Sequence, residues 1–139
     1  MTTLISKAKR VTATNQHYQL SIDQAKNRAY ITIIGFWRSP QEVATYVQDL
    51  DKALTQLRAK FTLLTDLRSM KTHPKEVQQL HLEAQQLLLS KGLLQTAEVY
   101  ESSFIQFQTS TLSKESKMPL KQFTSIEMAE EYLDSFFVN

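Results

Sequence analysis

The densest run of reactive side chains is Asp66-Leu-Arg-Ser-Met-Lys-Thr-His73. It supplies a carboxylate (Asp66), two cations (Arg68, Lys71), two hydroxyls (Ser69, Thr72) and an imidazole (His73). Placed after a strand and before a helix, such a run suits anion binding. A helix N-terminus offers unpaired N–H groups and about half a positive charge. The same residues also have a plainer use: Asp66 and Thr72 can satisfy those backbone N–H groups while the cations lie in water. A hydrolase would need Asp66, Ser69 and His73 to converge, and no Gly-x-Ser-x-Gly elbow supports one. His17, His73 and His81 lack metal-ligand spacing, and the chain has no cysteine. We therefore expect a non-enzymatic protein with no catalytic residue, no metal and no cofactor.

The elements around this run must hold it in place. Phe61-Thr-Leu-Leu-Thr-Asp66 is a short apolar strand that delivers it. Pro74 then opens a helix whose Val77, Leu80, Ala84, Leu87 and Leu88 share one face, closed by Lys91-Gly92. Upstream, Tyr18, Leu20 and Ile22 alternate with His17, Gln19 and Ser21, the pattern of a half-buried strand. Asp23–Asn27 reads as a hairpin connection, and Arg28–Gly35 as a central strand, apolar on both faces. Ser39-Pro-Gln-Glu42 predicts a capping box, and Val43, Tyr46, Val47, Leu50, Leu54 and Leu57 predict a helix to about Lys60.

Beyond Gly92, Thr96–Tyr100 reads as a strand. Ser102 or Ser103 can cap a helix carrying Phe104, Phe107, Thr111 and Leu112. Met118–Phe123 predicts an edge strand, because Pro119 cannot donate to a ladder. Thr124-Ser-Ile-Glu127 predicts a second capping box before a helix that turns Ile126, Ala129, Leu133, Phe136 and Phe137 inward. Residues 1–16, with Lys7, Lys9 and Arg10, read as a loose lead-in or an added edge strand; residues 17–139 read as one domain. The alternation predicts an α/β fold: a single mixed, mostly parallel sheet of about five strands, an N-terminal antiparallel hairpin and about four helices.

Two apolar features stand apart from the predicted core. Leu82 and Leu89 form a second stripe on the helix after Pro74, flanked by Gln78, Gln85 and Gln86. That stripe is either a partner surface or a face covered by neighbouring elements. Phe36 and Trp37 form either a pocket wall or a packed cap over the sheet end. Phe104, Phe107 and Met118 could similarly line a cavity or fill the core.

Phe61-Thr-Leu-Leu-Thr-Asp-Leu-Arg68 resembles the strand-and-turn segment of SpoIIAA-like proteins. That group is related to the STAS domains of sulfate transporters and anti-sigma-factor antagonists, and to Sec14-type lipid-binding folds. Phe123-Thr-Ser-Ile-Glu-Met-Ala-Glu-Glu-Tyr-Leu133 is similar to the group's last strand and helix. The resemblance implies a regulatory or ligand-binding module. In the antagonists, a serine in an Asp-Ser-Ser-Gly-like stretch before a helix is phosphorylated. Here Met70-Lys-Thr-His-Pro74 holds that place: Thr72 and His73 stand near the serine positions, Lys71 replaces the acid and Pro74 the glycine. Ser69 and Thr72 are the hydroxyls a phosphorylation switch would use. The departure places the pattern nearer the broader SpoIIAA-like group than the antagonists proper.

Composition narrows the functional classes. With 16 basic and 14 acidic residues, the chain lacks the basic excess of a nucleic-acid binder. No apolar run approaches the ~20 residues of a membrane span, so a cytoplasmic protein is expected. Only 2 glycines occur, which excludes glycine-rich phosphate loops. Two readings follow. In the first, the chain docks a protein partner or a second copy of itself through Asp66–Pro74 and the Leu82/Leu89 stripe. In the second, it binds a small apolar or lipid-like ligand, the reading that the Sec14 relationship implies.

Overall fold

The computed structural model describes residues 9–136; Lys7 and Phe137, given roles above, lie outside that range. Six strands form one sheet in sequence order: β1 Lys9–Thr14, β2 Tyr18–Asp23, β3 Arg28–Ile33, β4 Phe61–Asp66, β5 Leu93–Val99 and β6 Lys121–Phe123. β1, β2 and β3 pair antiparallel, and β3 to β6 pair parallel. Parallel neighbours need crossover connections, and helices supply them. α1 (Tyr46–Leu54) links β3 to β4, α2 (Lys75–Ser90) links β4 to β5, and α3 (Ser103–Ser116) links β5 to β6. α4 (Ile126–Asp134) follows β6.

The α/β class, the mixed sheet and the four α-helices read from the sequence are those of the structure. The strand count is six, since residues 9–14 join the sheet at its edge.

Strand alternation divides the core into two layers. Leu20, Ile31, Ile33 and Leu63 pack with Leu50, Val77, Ala84, Leu88 and Ile105, so α1, α2 and α3 share one face. Tyr30, Leu64, Ala97 and Val99 point the other way and meet Ala129 and Leu133 of α4. The adjacent pairs Tyr30/Ile31 and Leu63/Leu64 thus serve opposite layers. This is why β3 and β4 read as apolar on both faces.

Several helix starts differ from expectation. Ser39 makes no side-chain cap; Glu42 reaches past it to accept the Arg38 N–H at 2.9 Å. A 3-10 turn, Pro40–Val43, precedes α1, which ends at Leu54 rather than near Lys60. Ser125, not Thr124, caps α4, accepting the Met128 N–H at 3.1 Å. Ser102 caps α3, its hydroxyl accepting the Ile105 N–H at 3.3 Å. The last strand is only Lys121–Phe123, so Pro119 falls outside it.

α4 is held by charge as well as by packing. The Arg28 side chain is wholly buried; it donates to Thr62 Oγ1 at 2.9 Å, to Asp134 at 2.9 Å, and to Glu130. Tyr30 donates to Glu130 Oε2 at 2.9 Å. Burial beside Glu130 pushes the Tyr30 phenol far above its ordinary range, so it serves as a permanent donor. Removing a buried charge strands its partners, whereas removing an exposed one costs little. Arg28→Ala is expected to lower unfolding free energy by about 3 kcal/mol in urea denaturation. Lys26→Ala, whose ion pairs to the same carboxylates are partly exposed, should change it by less than about 1 kcal/mol.

Candidate functional site

The loop between β4 and α2 is seated before it is exposed. Gly35 pairs with Met70 as an isolated parallel bridge. The Gly35 N–H donates to the Ser69 carbonyl at 2.8 Å, and the Gly35 carbonyl accepts the Lys71 N–H at 2.9 Å. Gly35 takes φ +71°, a left-handed backbone that suits glycine, and the space around its missing side chain is open. The loop is therefore an extension of the sheet, stitched to the end of β3.

His73 locks the loop's far end. It is buried, with Nε2 3.1 Å from the Gly35 carbonyl and Nδ1 2.9 Å from His81 Nε2. A carbonyl can only accept, so His73 Nε2 carries the hydrogen. In the neutral ring Nδ1 is then an acceptor, and His81 Nε2 donates to it. Trp37, wholly buried, stacks on both rings with centroids 5.0 Å away, and its indole N–H donates to the His17 carbonyl at 3.0 Å. Tyr46 closes the cluster against Trp37 and His81. Burial lowers the pKa of both imidazoles, that of His81 to about 3, with His73 adding repulsion. Both rings are neutral at pH 7, so each carries a single N–H.

The remaining loop residues separate. Arg68 is forked onto Asp66, Nε to Oδ1 and Nη2 to Oδ2, both at 2.9 Å, and Asp66 also accepts the Arg68 N–H at 3.1 Å. This arrangement holds the Asp66 carboxyl below its usual range. Arg68 is thus neutralised, and Lys71 is the loop cation with no carboxylate partner among the described residues. Ser69, Lys71 and Thr72 are exposed. Asp66 points to Arg68, and His73 points inward, so Asp66, Ser69 and His73 form no hydrolytic triad. Among the described residues, no group of His, Cys, Asp or Glu could hold a metal ion.

The apolar features resolve differently. Leu82 is 8% exposed, and Leu89 packs half-buried on the core. Of the two readings of this stripe, burial fits the covered face, since α1 and α3 flank α2 on both sides. Trp37 is a packed cap, whereas Phe36 next to it is 50% exposed and lies 6.3 Å from the His73 ring. Phe104 and Phe107 stand exposed on α3, the helix whose Gln108 donates to the His73 carbonyl at 3.4 Å. Met118 is buried.

One internal constellation has no forerunner in the sequence reading. Glu98 is buried in β5 and lines a cavity of about 50 Å³ between the sheet, α2 and α3. Its carboxyl accepts from the Tyr100 hydroxyl, which lies 2.7 Å from Thr109 Oγ1; Thr109 in turn donates to the Ile105 carbonyl at 3.0 Å. Burial raises the Glu98 pKa to about 8. The signal was a carboxylate set between the apolar Ala97 and Val99 of β5. The cavity is far below the ~300 Å³ at which small-molecule pockets begin, so it gives no room to a lipid-like ligand.

Comparison with solved structures identifies the fold. An uncharacterized protein with a SpoIIAA-like fold from Shewanella loihica aligns with a TM-score of 0.63 at 13% identity, over 87% of this chain and 97% of that one. SiaC of Pseudomonas aeruginosa aligns at 0.54 and 10% identity, over 82% and 97% of the two chains. An anti-sigma factor antagonist from Mycobacterium paratuberculosis aligns at 0.51 and 11% identity, over 87% and 97%. No protein-family model and no curated protein matches the chain. The chain has a SpoIIAA-like fold. No helix among the described residues is long and apolar enough to cross a membrane.

Two buried groups with opposite shifts should bound stability in pH. Below 6.5 the unfolded chain protonates His81 and the native one does not, so stability falls toward pH 3. Above 4.5 the unfolded chain ionises Glu98 and the native one keeps its proton, so stability falls toward pH 8. Each limb has a limiting slope of about 1.4 kcal/mol per pH unit. Denaturation across this range should show greatest stability in mild acid. His81→Gln should flatten the acid limb and Glu98→Gln the alkaline one; unchanged slopes would contradict both assignments.

Proposed function

We propose that this protein is a non-enzymatic regulatory module that docks a protein partner through the β4–α2 loop. The observation that carries this reading is the contrast within the loop. Its backbone and His73 are fixed to the sheet, while Ser69, Lys71 and Thr72 are left free in solvent. A rigid seat with exposed polar tips loses little conformational entropy when a partner binds. Phe36 supplies an exposed aromatic beside the seat, and α3 adds Phe104 and Phe107. Aromatic anchors with a polar surround are the usual composition of a contact patch.

The loop leaves a parallel strand at its carboxyl end, the favoured position for binding in open α/β sheets. Likeness of fold to an anti-sigma factor antagonist supports a regulatory role over a catalytic one. Ser69 and Thr72 are both accessible to a modifying enzyme, and a phosphate on either would add up to about two negative charges to this surface.

The test is affinity capture with the intact protein as bait. Lys71→Glu combined with Phe36→Ser is expected to abolish recovery of the specific partner and leave the melting temperature within about 2 °C, since both positions are exposed. Leu94→Ser, a change at the opposite end of the sheet, should leave recovery intact. Equal recovery by wild type and the double variant would remove the loop from the reading.

A further inference from the structure

The sheet end opposite the loop holds a second cleft, of about 260 Å³, where β3, β4 and β5 begin. Lys26, Arg28, Arg58 and Lys60 line it, together with the apolar Leu94, Leu133 and Phe136. The chain as a whole is nearly balanced, 16 basic against 14 acidic, so this gathering of cations is local. Glu130 and Asp134 pair with Lys26 and Arg28. Arg58 and Lys60 are exposed and pair with no carboxylate among the described residues. Asp23, at the end of β2, accepts the Lys26 N–H at 3.1 Å and does not line the cleft.

Like charges repel, so something must hold them together. Asn27 does much of this: its amide donates to the Arg58 carbonyl at 3.2 Å and accepts the Arg58 N–H at 2.9 Å. The Lys60 N–H donates to the Gly92 carbonyl at 2.7 Å, and a side chain at Gly92 would meet Ala59 at 2.9 Å. Asn27 and Lys60 both take positive φ, 52° and 67°, a conformation uncommon for lysine. The backbone carrying the two unpaired cations is therefore locked against the β2–β3 turn and the start of β5.

We propose that this cleft binds a small phosphomonoester, its phosphate held by Arg58 and Lys60 and its carbon skeleton resting on Leu94 and Phe136. The two cations without carboxylate partners match a phosphomonoester, which carries about −1.5 to −2 charges at neutral pH. The guanidinium of Arg58 can grip two phosphate oxygens as a fork. Arg28, wholly buried at the cleft's base, is matched together with Lys26 by Glu130 and Asp134, so the unmatched positive charge of the cleft rests on Arg58 and Lys60. Leu94, 40% exposed, lies beside the cations and offers apolar contact to the rest of the ligand.

Isothermal titration with phenyl phosphate and with inorganic phosphate tests this. Wild type is expected to bind one phenyl phosphate per chain, and to bind inorganic phosphate more weakly. Arg58→Glu combined with Lys60→Glu should weaken phenyl phosphate by about tenfold or more. Both positions are exposed, and circular dichroism should show the variant folded. Leu94→Ser should lower phenyl phosphate affinity toward that of inorganic phosphate. Arg68→Glu combined with Lys71→Glu, in the loop, should change neither, so the outcome is independent of partner docking there. Absence of phenyl phosphate binding at millimolar concentration would overturn the proposal. So would equal binding by the Arg58/Lys60 variant, or an equal loss in the loop variant.

Discussion

A single neutral imidazole fixes the geometry of the exposed end of this molecule. His73 gives its one hydrogen to the Gly35 carbonyl and takes one from His81. The same carbonyl accepts the Lys71 N–H, so one oxygen ties the loop, the end of β3 and, through the histidines, helix α2. Burial keeps both rings neutral in this arrangement. Trp37 enforces that condition by covering both rings and excluding water. The loop's exposed tips have a fixed direction because its inner side leaves no freedom.

The two faces of the sheet use different means of attachment. On the face of α1, α2 and α3, apolar side chains interlock, with the polar chain from Glu98 to Thr109 set among them. On the other face α4 has a smaller apolar contact, and Arg28, Tyr30 and Glu130 add direction to it. Non-directional burial supplies most of the energy in both cases. Hydrogen-bonded charges decide where along the sheet α4 comes to rest. That choice also pulls Glu130 and Asp134 toward Lys26 and Arg28, and leaves Arg58 and Lys60 unbalanced at the same end.

Much of the fold was legible from periodicity. The alternation of Tyr18, Leu20 and Ile22 identified β2, and the repeat from Val77 to Leu88 identified α2. Ser102 was readable as a cap because hydroxyl capping is local. Ser39 failed because Glu42 found the Arg38 N–H instead, a choice made by chain direction before the helix. The exposed tips Ser69, Lys71 and Thr72 were legible as a polar run between strand and helix. The His73–His81 pair was not, because His73 precedes the helix and meets His81 by a backbone turn rather than by helical spacing. The Leu82 stripe stayed open between two readings for a related reason: a helix wheel shows which residues share a face and not which neighbours cover it. Glu98 and Arg58 belong to clusters assembled from distant segments, which no local pattern announces.

The two outer strands give the sheet a further property. A free strand edge invites another chain to add to it. β1 meets that hazard with an irregular register between Val11 and Ala13 and with Lys9 and Arg10 at its start. β6 meets it by brevity, being three residues long and beginning with Lys121. A template for lateral growth needs a long, flat, uncharged margin, and neither side offers one. Among the described residues, the aromatic side chains at the surface therefore stand apart from any long, regular strand edge that could pair with another chain.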